Sequence, residues 1–277
     1  MGGLIFIVSA IVAWAGYRII TRSRASVDEL LIMAFPALYA AVGFIDDFRK
    51  VRRARSLGLR AREKMALQVL FAALFVYAAE LAGRGTYVIL PFTRATVDLR
   101  VLYGAFGVLV IVSSGNAVNL TDGLDGLAAG TVLIALGAYY VIGRAAEPAL
   151  GISGILAPIA AWGGALLGFL AYNRHPAKVF MGDTGSNALG ALLASIAILT
   201  RTEVVLLFVA GIPVIETLSD ILQVASFQLL GKRVFKMAPI HHHFELSGWR
   251  ETKIVTVFWV AEAIFALIGI ASMAVSW

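Results

Sequence analysis

Carboxylates, amides, lysines and imidazoles gather in four short clusters along an otherwise apolar chain. The clusters occupy residues 46–50, 116–126, 180–186 and 241–245, and each follows an even-numbered apolar run. Because successive membrane spans alternate in direction, the ends of even-numbered spans lie on one side, and we expect the four clusters to meet there. Side chains of these types suit a phosphorylated substrate that is bound together with a metal ion.

The first cluster contains two consecutive carboxylates, Asp46 and Asp47, at the end of an apolar run. Adjacent helical residues point about 100° apart, so we expect only one of the two to face a metal or substrate. The other would be held by a basic neighbour. Lys50 lies one turn beyond Asp46 and can pair with it.

The second cluster is the most specific, because it combines two amides with two carboxylates. These residues are Asn116, Asn119, Asp122 and Asp125. Asn119 can offer a carbonyl oxygen, which hard cations such as Mg²⁺ accept. The alternative is that Thr121 or Asp122 caps the helix that opens at Leu127, but one capping residue is enough for that purpose. The four polar side chains therefore favour a site.

The third and fourth clusters add a carboxylate, an aromatic ring and three imidazoles. Asp183 comes before a predicted helix and is a candidate metal ligand, and the adjacent glycines let backbone amides reach a phosphate. Phe180 can stack on a base or anchor the membrane interface. The consecutive histidines 241–243 suit hydrogen bonds to phosphate or hydroxyl groups better than zinc, whose ligands come from spaced positions. Pro239 predicts a non-helical entry to them.

The elements that must position these clusters are membrane helices. Of the 277 residues, 60% are hydrophobic and 14% are charged, with a mean hydropathy of +0.87, whereas a soluble domain carries about 25% charged residues. Recurring apolar runs predict an all-α, polytopic membrane bundle formed as a single domain from residues 1–277. The chain has no cysteine, which excludes disulfides, thiolate nucleophiles and thiolate metal sites. We predict nine spans, at residues 2–17, 29–45, 65–82, 101–115, 127–143, 152–172, 187–200, 203–230 and 254–276.

Basic residues predict the orientation of the bundle. Of the 23 Lys and Arg residues, 15 lie on the side of the polar clusters and the remaining 8 on the other side. The positive-inside rule then places the clusters in the cytoplasm, next to anionic lipid headgroups. The 15 residues are Arg49, Lys50, Arg52, Arg53, Arg55, Arg60, Arg62, Lys64, Arg174, Lys178, Lys232, Arg233, Lys236, Arg250 and Lys253.

The eighth run is too long for one straight span and contains Pro213, Glu216 and Asp220. We expect a bend at Pro213, which removes a backbone donor. Glu216 and Asp220 lie four residues apart on one helix face. They are either a polar stripe on a helix that leaves the bilayer or a pair of groups behind the site.

The four clusters together predict phosphoryl transfer at a hard-cation site on the membrane surface. An anionic nucleophile is repelled by an anionic phosphate, and a metal ion with Lys or His offsets that repulsion. The membrane location implies that one reactant is a lipid phosphate. No nucleic-acid partner is expected.

In this order and at these span positions, the motifs resemble those of the phospho-N-acetylmuramoyl-pentapeptide-transferase family, a branch of the polyprenyl-phosphate N-acetylhexosamine-1-phosphate transferases. The motifs are FIDDFRK, NAVNLTDGLDGLAAG, FMGDTGSNALG and MAPIHHHFELSGW. The resemblance covers nearly the whole chain. The histidine motif discriminates most, because the N-acetylglucosamine branch carries a different pattern there.

This resemblance implies transfer of phospho-N-acetylmuramoyl-pentapeptide from its UDP donor to undecaprenyl phosphate, which gives lipid I and UMP. It implies a Mg²⁺-dependent enzyme of the bacterial inner membrane whose active site faces the cytoplasm. We also expect a homodimer, although the sequence does not define its interface.

Residue by residue, the resemblance implies a role for each cluster. Asp183 would hold Mg²⁺ with Asn119 as a second ligand, and Asp46 would deprotonate the lipid phosphate. Asp47 would orient a lysine or the metal, or act as a covalent nucleophile, and both alternatives stay open. The remaining substrate contacts would be Lys50, Lys64 and Asn116, together with Asp122 and Asp125 at the nucleoside and Phe180 on uracil. His241, His242 and His243 would bind phosphate or sugar, and His242 and His243 would also take part in catalysis.

The beginning of the chain departs from the family pattern. The family has ten spans and carries a segment that ends Thr-Pro-Thr-Met-Gly-Gly before its second span. Residues 1–3, Met-Gly-Gly, match only the end of that segment. The pattern predicts that the first family helix is missing and that the chain is truncated at its N-terminus.

Two other functions compete with this interpretation. An enzyme of the sister branch would transfer N-acetylglucosamine phosphate and would differ in the histidine motif. A secondary transporter would place its polar groups near the bilayer midplane on broken helices in repeated halves. The clusters lie at span ends instead, and no internal repeat is visible.

Overall fold

The computed structural model describes residues 1–53, 58–93 and 95–274, and shows a helical bundle with one small β-hairpin. The helices are α1 (Gly3–Thr21), α2 (Val27–Arg53), α3 (Ala61–Leu81), α4 (Tyr103–Thr121), α5 (Leu127–Leu150), α6 (Leu156–Asn173), α7 (Gly182–Leu199), α8 (Leu206–Val209), α9 (Gly211–Leu230), α10 (Ile240–Glu245) and α11 (Glu251–Met273). A 3₁₀ turn, Arg100–Leu102, leads into α4, and the strands are β1 (Tyr87–Ile89) and β2 (Thr96–Asp98). Arg55, Arg94 and the predicted end of the last span at residues 275–276 lie outside the described residues.

The predicted class, a polytopic all-α membrane protein, is confirmed. Within the described residues, 7 helices are long and apolar enough to cross a membrane, namely α1 to α6 and α11. The other two predicted spans differ in kind. Helix α7 is enclosed by its neighbours, and the predicted span 203–230 consists of two helices, α8 and α9.

The break between α8 and α9 corrects the predicted bend at Pro213. The chain leaves helical geometry at Ala210, where φ is −117° and ψ is 47°. Pro213 lies in the first turn of α9, where its missing N–H has no helical acceptor to lose. Glu262 on α11 accepts a hydrogen bond from the backbone N of Ile212 at 2.7 Å, which satisfies a donor that the break leaves free.

Helix α7 forms the centre of the bundle. Every residue from Thr184 to Leu199 is buried, and the helix packs mainly against α2 and α4. Gly43 on α2 lies directly against the backbone of Asp183, where a Cβ atom would overlap the carbonyl group. Glycine therefore lets α2 approach α7 closely at the end where the polar residues lie.

The opposite end of α7 is joined to the hairpin by Arg84. The strands are antiparallel, with Val88 opposite Val97. The guanidinium of Arg84 donates to the carbonyl oxygens of Ile198 at 2.8 Å and Tyr87 at 2.7 Å, and it also pairs with the buried carboxylate of Glu203. This end of the bundle is therefore closed by a buried, hydrogen-bonded ion pair.

Candidate active site

Three carboxylates converge where α2 ends and α7 begins. One oxygen each of Asp46, Asp47 and Asp183 lies within 4.8 Å of the others. The prediction that the two adjacent aspartates would diverge is wrong. Helix α2 is continuous through both residues, and rotation about their side-chain bonds brings the carboxylates back to one point.

Two lysines balance this negative charge. Lys50 Nζ lies 2.6 Å from Asp46 Oδ2 and 3.1 Å from Asp183 Oδ2, so its predicted pairing with Asp46 is confirmed. Lys64, from the first turn of α3, lies 3.0 Å from the same Asp183 oxygen. Asp46 is buried, and its other oxygen accepts the backbone N–H of Leu59 at 2.6 Å.

Asp47 caps the N-terminus of α7. Its carboxylate accepts hydrogen bonds from the backbone N of Asp183 at 3.3 Å, from the backbone N of Thr184 at 3.1 Å and from the Thr184 hydroxyl at 2.7 Å. The sequence predicts that Asp183 precedes the helix and that the adjacent backbone amides are free to reach a phosphate. The helix instead begins at Gly182, and Asp47 occupies those amides.

The carboxylate cluster could hold a metal ion. Its donors are oxygens, which hard divalent cations prefer, and they come from two rigid helices. Asn119 on α4 donates from Nδ2 to Asp183 Oδ1 at 3.0 Å and to the Ser186 hydroxyl at 2.8 Å. To serve as a ligand, its amide must turn so that Oδ1 faces the cation.

A relay of amides lies beneath the cluster, and sequence reasoning missed most of it. Gln68 on α3 donates from Nε2 to Asn187 Oδ1 at 2.9 Å, and its Oε1 accepts from Asn116 Nδ2 at 3.2 Å. Asn187 in turn donates to the backbone oxygen of Asp183 at 2.7 Å. The available signal was an amide one helical turn beyond a charged site residue, as Gln68 is beyond Lys64.

Asp122 is partly buried at the end of α4, outside the helix. Burial and, to a smaller extent, the negative charges of Asp183 and Asp47 together raise the pKa of Asp122 to about 8. The predicted alternative, a cap for α5, is not found. Gly126 occupies the capping position with φ 79°, and Thr121 bonds to the carbonyl of Ala117 within α4.

Asp125 belongs to a second group of polar side chains, together with His175 and Glu251. Its Oδ2 accepts from the backbone N of Ala177 at 2.9 Å and lies 3.1 Å from His175 Nδ1, which also lies 3.2 Å from Glu251 Oε2. Asp125 is thereby fixed to the loop between α6 and α7. That same loop carries Phe180, whose side chain is 65% exposed.

The three histidines all lie in α10, in three different environments. His241 is fully buried, with Nδ1 3.1 Å from Glu216 Oε1. His242 and His243 are partly exposed. Nδ1 of His242 lies 2.6 Å from Glu245 Oε2, and Nδ1 of His243 accepts the backbone N–H of Lys236. The predicted non-helical entry is confirmed, because Pro239 is extended and α10 begins after it.

Contacts between the clusters confirm that all four lie together at one end of the bundle. Asp47 joins the first to the third, Asn119 joins the second to the third, and His241 lies against Gly123 of the second. The site thus combines a carboxylate centre, two ammonium groups, and a rim that carries an exposed ring and imidazoles. This arrangement can bind a metal ion and phosphate groups and can neutralise charge that develops between them.

Comparison with known proteins gives the same family throughout. The family model described as "Glycosyl transferase family 4" matches residues 30–201. A phospho-N-acetylmuramoyl-pentapeptide-transferase from Shouchella clausii is 46% identical over 273 residues, which is 98% of this chain and 82% of that protein. Proteins with the same name from Desulfitobacterium hafniense and Anoxybacillus flavithermus are 45% and 46% identical, with the same two coverages. These names belong to the muramoyl-pentapeptide branch and not to the N-acetylglucosamine branch.

Proposed function

The chain belongs to the phospho-N-acetylmuramoyl-pentapeptide-transferase family, and we therefore propose that it transfers phospho-N-acetylmuramoyl-pentapeptide from the UDP donor to undecaprenyl phosphate. The products are lipid I and UMP, in the first membrane step of peptidoglycan synthesis. The observation that carries this proposal is the meeting of three carboxylates and two lysines at one end of a membrane bundle. That charge pattern suits the reaction of one phosphate with another.

We propose that Asp183, with Asn119 after its amide turns, holds Mg²⁺. A cation held by these residues would offset the negative charge of the donor pyrophosphate. Lys50 and Lys64, both within 3.1 Å of Asp183, then face the same negative charge. Asp46, whose Oδ2 lies 2.6 Å from Lys50 Nζ, accepts the proton of the lipid phosphate when that proton is still present.

Direct attack is the route that the geometry supports best. An oxygen of the lipid phosphate forms a bond to the phosphorus next to the sugar, and the bond from that phosphorus to the bridging oxygen breaks. UMP leaves with the electron pair. A covalent intermediate on Asp47 would require its carboxylate to leave the three hydrogen bonds that it accepts from the start of α7.

The rim is proposed to bind the UDP donor. Phe180 is exposed and available to stack on uracil, and Asp125, in the turn between α4 and α5, is bonded to the same loop through the backbone N of Ala177. Asp122 completes the nucleoside side. Asn116 supports the cleft through its bond to Gln68. His242 and His243 are partly exposed on α10, where they can reach phosphate or sugar groups.

The lipid acceptor is proposed to lie in an apolar groove between α4 and the pair α8 and α9. Its volume is about 300 Å³, and its walls include Phe106, Ala117, Leu207 and Pro213. On α4 the groove extends from Phe106 to Ala117, which lies two residues before Asn119. We place the protein in the bacterial inner membrane with this site on the cytoplasmic face, where its lysines follow the positive-inside rule.

We propose that a second copy of the chain packs against α5 and α6. An apolar groove of about 250 Å³ there has large side chains, such as Leu136 and Tyr140, along its walls and also the small residues Gly137, Ala160, Gly163 and Gly164. Small residues let membrane helices approach closely. Light scattering of the purified protein in detergent tests this, and a monomer at all protein concentrations would remove the proposal.

The test of the function is UMP release by the purified protein, with and without Mg²⁺. The wild-type protein is expected to release UMP only when the muramoyl-pentapeptide donor, undecaprenyl phosphate and Mg²⁺ are all present. Asp183→Asn should abolish release, whereas Asp98→Asn, which changes an exposed carboxylate on the distant hairpin, should not. Turnover of UDP-N-acetylglucosamine instead of the muramoyl donor would assign the chain to the sister branch.

A further inference from the structure

A carboxylate inside the bundle has no place in the reaction described so far. Glu216 on α9 is fully buried, although other residues of the same helix, such as Leu218 and Ile221, are exposed on the outside of the bundle. Burying a carboxylate in apolar surroundings is costly unless it has a partner. Glu216 faces His241, whose Nδ1 lies 3.1 Å from Glu216 Oε1, within ion-pair distance but without hydrogen-bond geometry, and whose backbone N donates to Oε2 at 3.5 Å.

His241 connects this carboxylate to two parts of the site. Its ring packs against the ring of His242, with centroids 4.1 Å apart and planes inclined by 54°. On another side, its Nε2 lies against Gly123, where any Cβ atom would overlap the ring. His241, on the same helix as His242, thus connects Glu216 to the turn that carries Asp122 and Asp125.

His241 cannot itself reach substrate in this arrangement, because its side chain is only 1% exposed. His242 and His243, in contrast, are partly exposed. The first histidine of the run therefore differs in kind from the other two. It acts on the site through the groups that it touches.

We propose that Glu216 and His241 form a buried positioning pair that sets His242 and the 122–125 turn for binding of the UDP donor. This inference rests on the proposed function. The groove assigned to the lipid is lined by other positions of α9, namely Pro213, Val214, Thr217 and Leu218. The carboxylate cluster lies on α2 and α7. Loss of the pair should therefore weaken use of the UDP donor and leave the dependence on undecaprenyl phosphate and on Mg²⁺ unchanged.

The test is steady-state kinetics of Glu216→Gln, with Asp220→Asn as the matched control. Glutamine keeps the size of the side chain but removes its charge. Asp220 lies one turn further along α9 and is partly buried, and no described contact joins it to His241. We expect kcat/KM for the UDP donor to fall roughly ten- to a hundredfold in the Glu216 variant, as small misplacements of reacting groups do. The KM for undecaprenyl phosphate and the Mg²⁺ concentration for half-maximal rate should stay within about twofold of wild type.

Gly123→Ala provides an independent second variant, because it displaces His241 from the other side and lies at an exposed position. It should reproduce the loss in donor kcat/KM even if Glu216→Gln does not accumulate. Combined with His241→Asn, the Glu216 change should add less than a further twofold, since the carboxylate acts through that ring.

Three results would overturn the inference. In the first, kcat/KM for the UDP donor is the same in Glu216→Gln as in Asp220→Asn. In the second, Gly123→Ala is fully active. In the third, the losses in kcat/KM caused by Glu216→Gln and His241→Asn multiply in the double variant. A wild-type protein that releases no UMP would instead remove the proposed function, so the two failures are distinguishable.

Discussion

Replacing Asp47 by asparagine distinguishes a helix cap from a covalent nucleophile. The carboxylate accepts three hydrogen bonds from the first turn of α7, two from backbone N–H groups and one from the Thr184 hydroxyl. Asparagine keeps one acceptor oxygen but turns an NH₂ group towards one of these donors. If Asp47 is a cap, the substitution must therefore destabilise the start of α7 as well as reduce activity.

The magnitude follows from the groups that are lost. Removing a charged cap costs about 1 kcal/mol for the hydrogen bond and about 0.3–1 kcal/mol for the helix dipole. Relief of repulsion with Asp46 and Asp183 offsets part of this loss. We expect a net destabilisation of about 1–2 kcal/mol, which corresponds to a fall in Tm of roughly 2–8 °C for a chain of this size.

The assay is thermal unfolding of the detergent-purified protein without substrate or divalent cation, compared with wild type and Asp98→Asn. In parallel, the wild-type protein is incubated with donor labelled at the phosphate next to the sugar, in the absence of lipid acceptor. The cap predicts a lower Tm in Asp47→Asn and no labelled protein. An unchanged Tm with complete loss of activity, or a labelled phosphoaspartate at position 47, would refute the reasoning.

Three further predictions concern stability, charge and pH. Arg84→Gln should lower Tm while the folded fraction keeps its kcat, because Glu203 loses its buried partner, a loss worth about 3–5 kcal/mol; a reduced kcat at wild-type Tm would contradict this. Lys64→Met should lower kcat at least tenfold and also lower the Mg²⁺ concentration for half-maximal rate, since the ammonium competes with the cation for the carboxylate of Asp183. The control is Arg62→Met, at an exposed position. A higher Mg²⁺ requirement in Lys64→Met would contradict this competition. Because the pKa of Asp122 is raised to about 8, the stabilising effect of its protonated carboxyl is fully present below its ordinary pKa and is lost as the pH rises through 8. In metal-free protein, Asp122→Asn should therefore reduce the difference in Tm between pH 6 and pH 9. An unchanged difference would count against the buried carboxyl.

Patterns along the chain predicted the fold class, because apolar runs are visible locally in the sequence. They also predicted that the four clusters meet, because each cluster follows an even-numbered apolar run. The start of α7 was predicted too late. Residues 182–186 are polar, so hydropathy assigns them to a loop, whereas neighbouring helices enclose them and Asp47 supplies the missing cap. A cap from a residue 136 positions away leaves no mark near Gly182.

Pairings between distant residues were the part that the sequence could not supply. Glu216 was visible as an acidic residue in an apolar helix, but nothing nearby indicated His241 as its partner or separated it from Asp220. The position of Gln68, one turn beyond Lys64, was visible, but its partners Asn187 and Asn116 were not, because a single amide in an apolar helix has many possible partners. These contacts depend on how the helices pack, and packing is decided by complementary surfaces instead of by local composition.

Helix α7 is held at both ends, by Asp47 at the start and by Arg84 at the end, and its 18 residues span roughly 27 Å. The length of α7 therefore sets the distance between the two ends of the bundle. Inserting or deleting one residue would rotate everything beyond it by about 100° and shift it by about 1.5 Å, so one of the two anchors would miss its partner. Changes in chain length should accumulate in the β1–β2 turn and be rejected in α7, and random insertion followed by selection for growth would show that contrast directly.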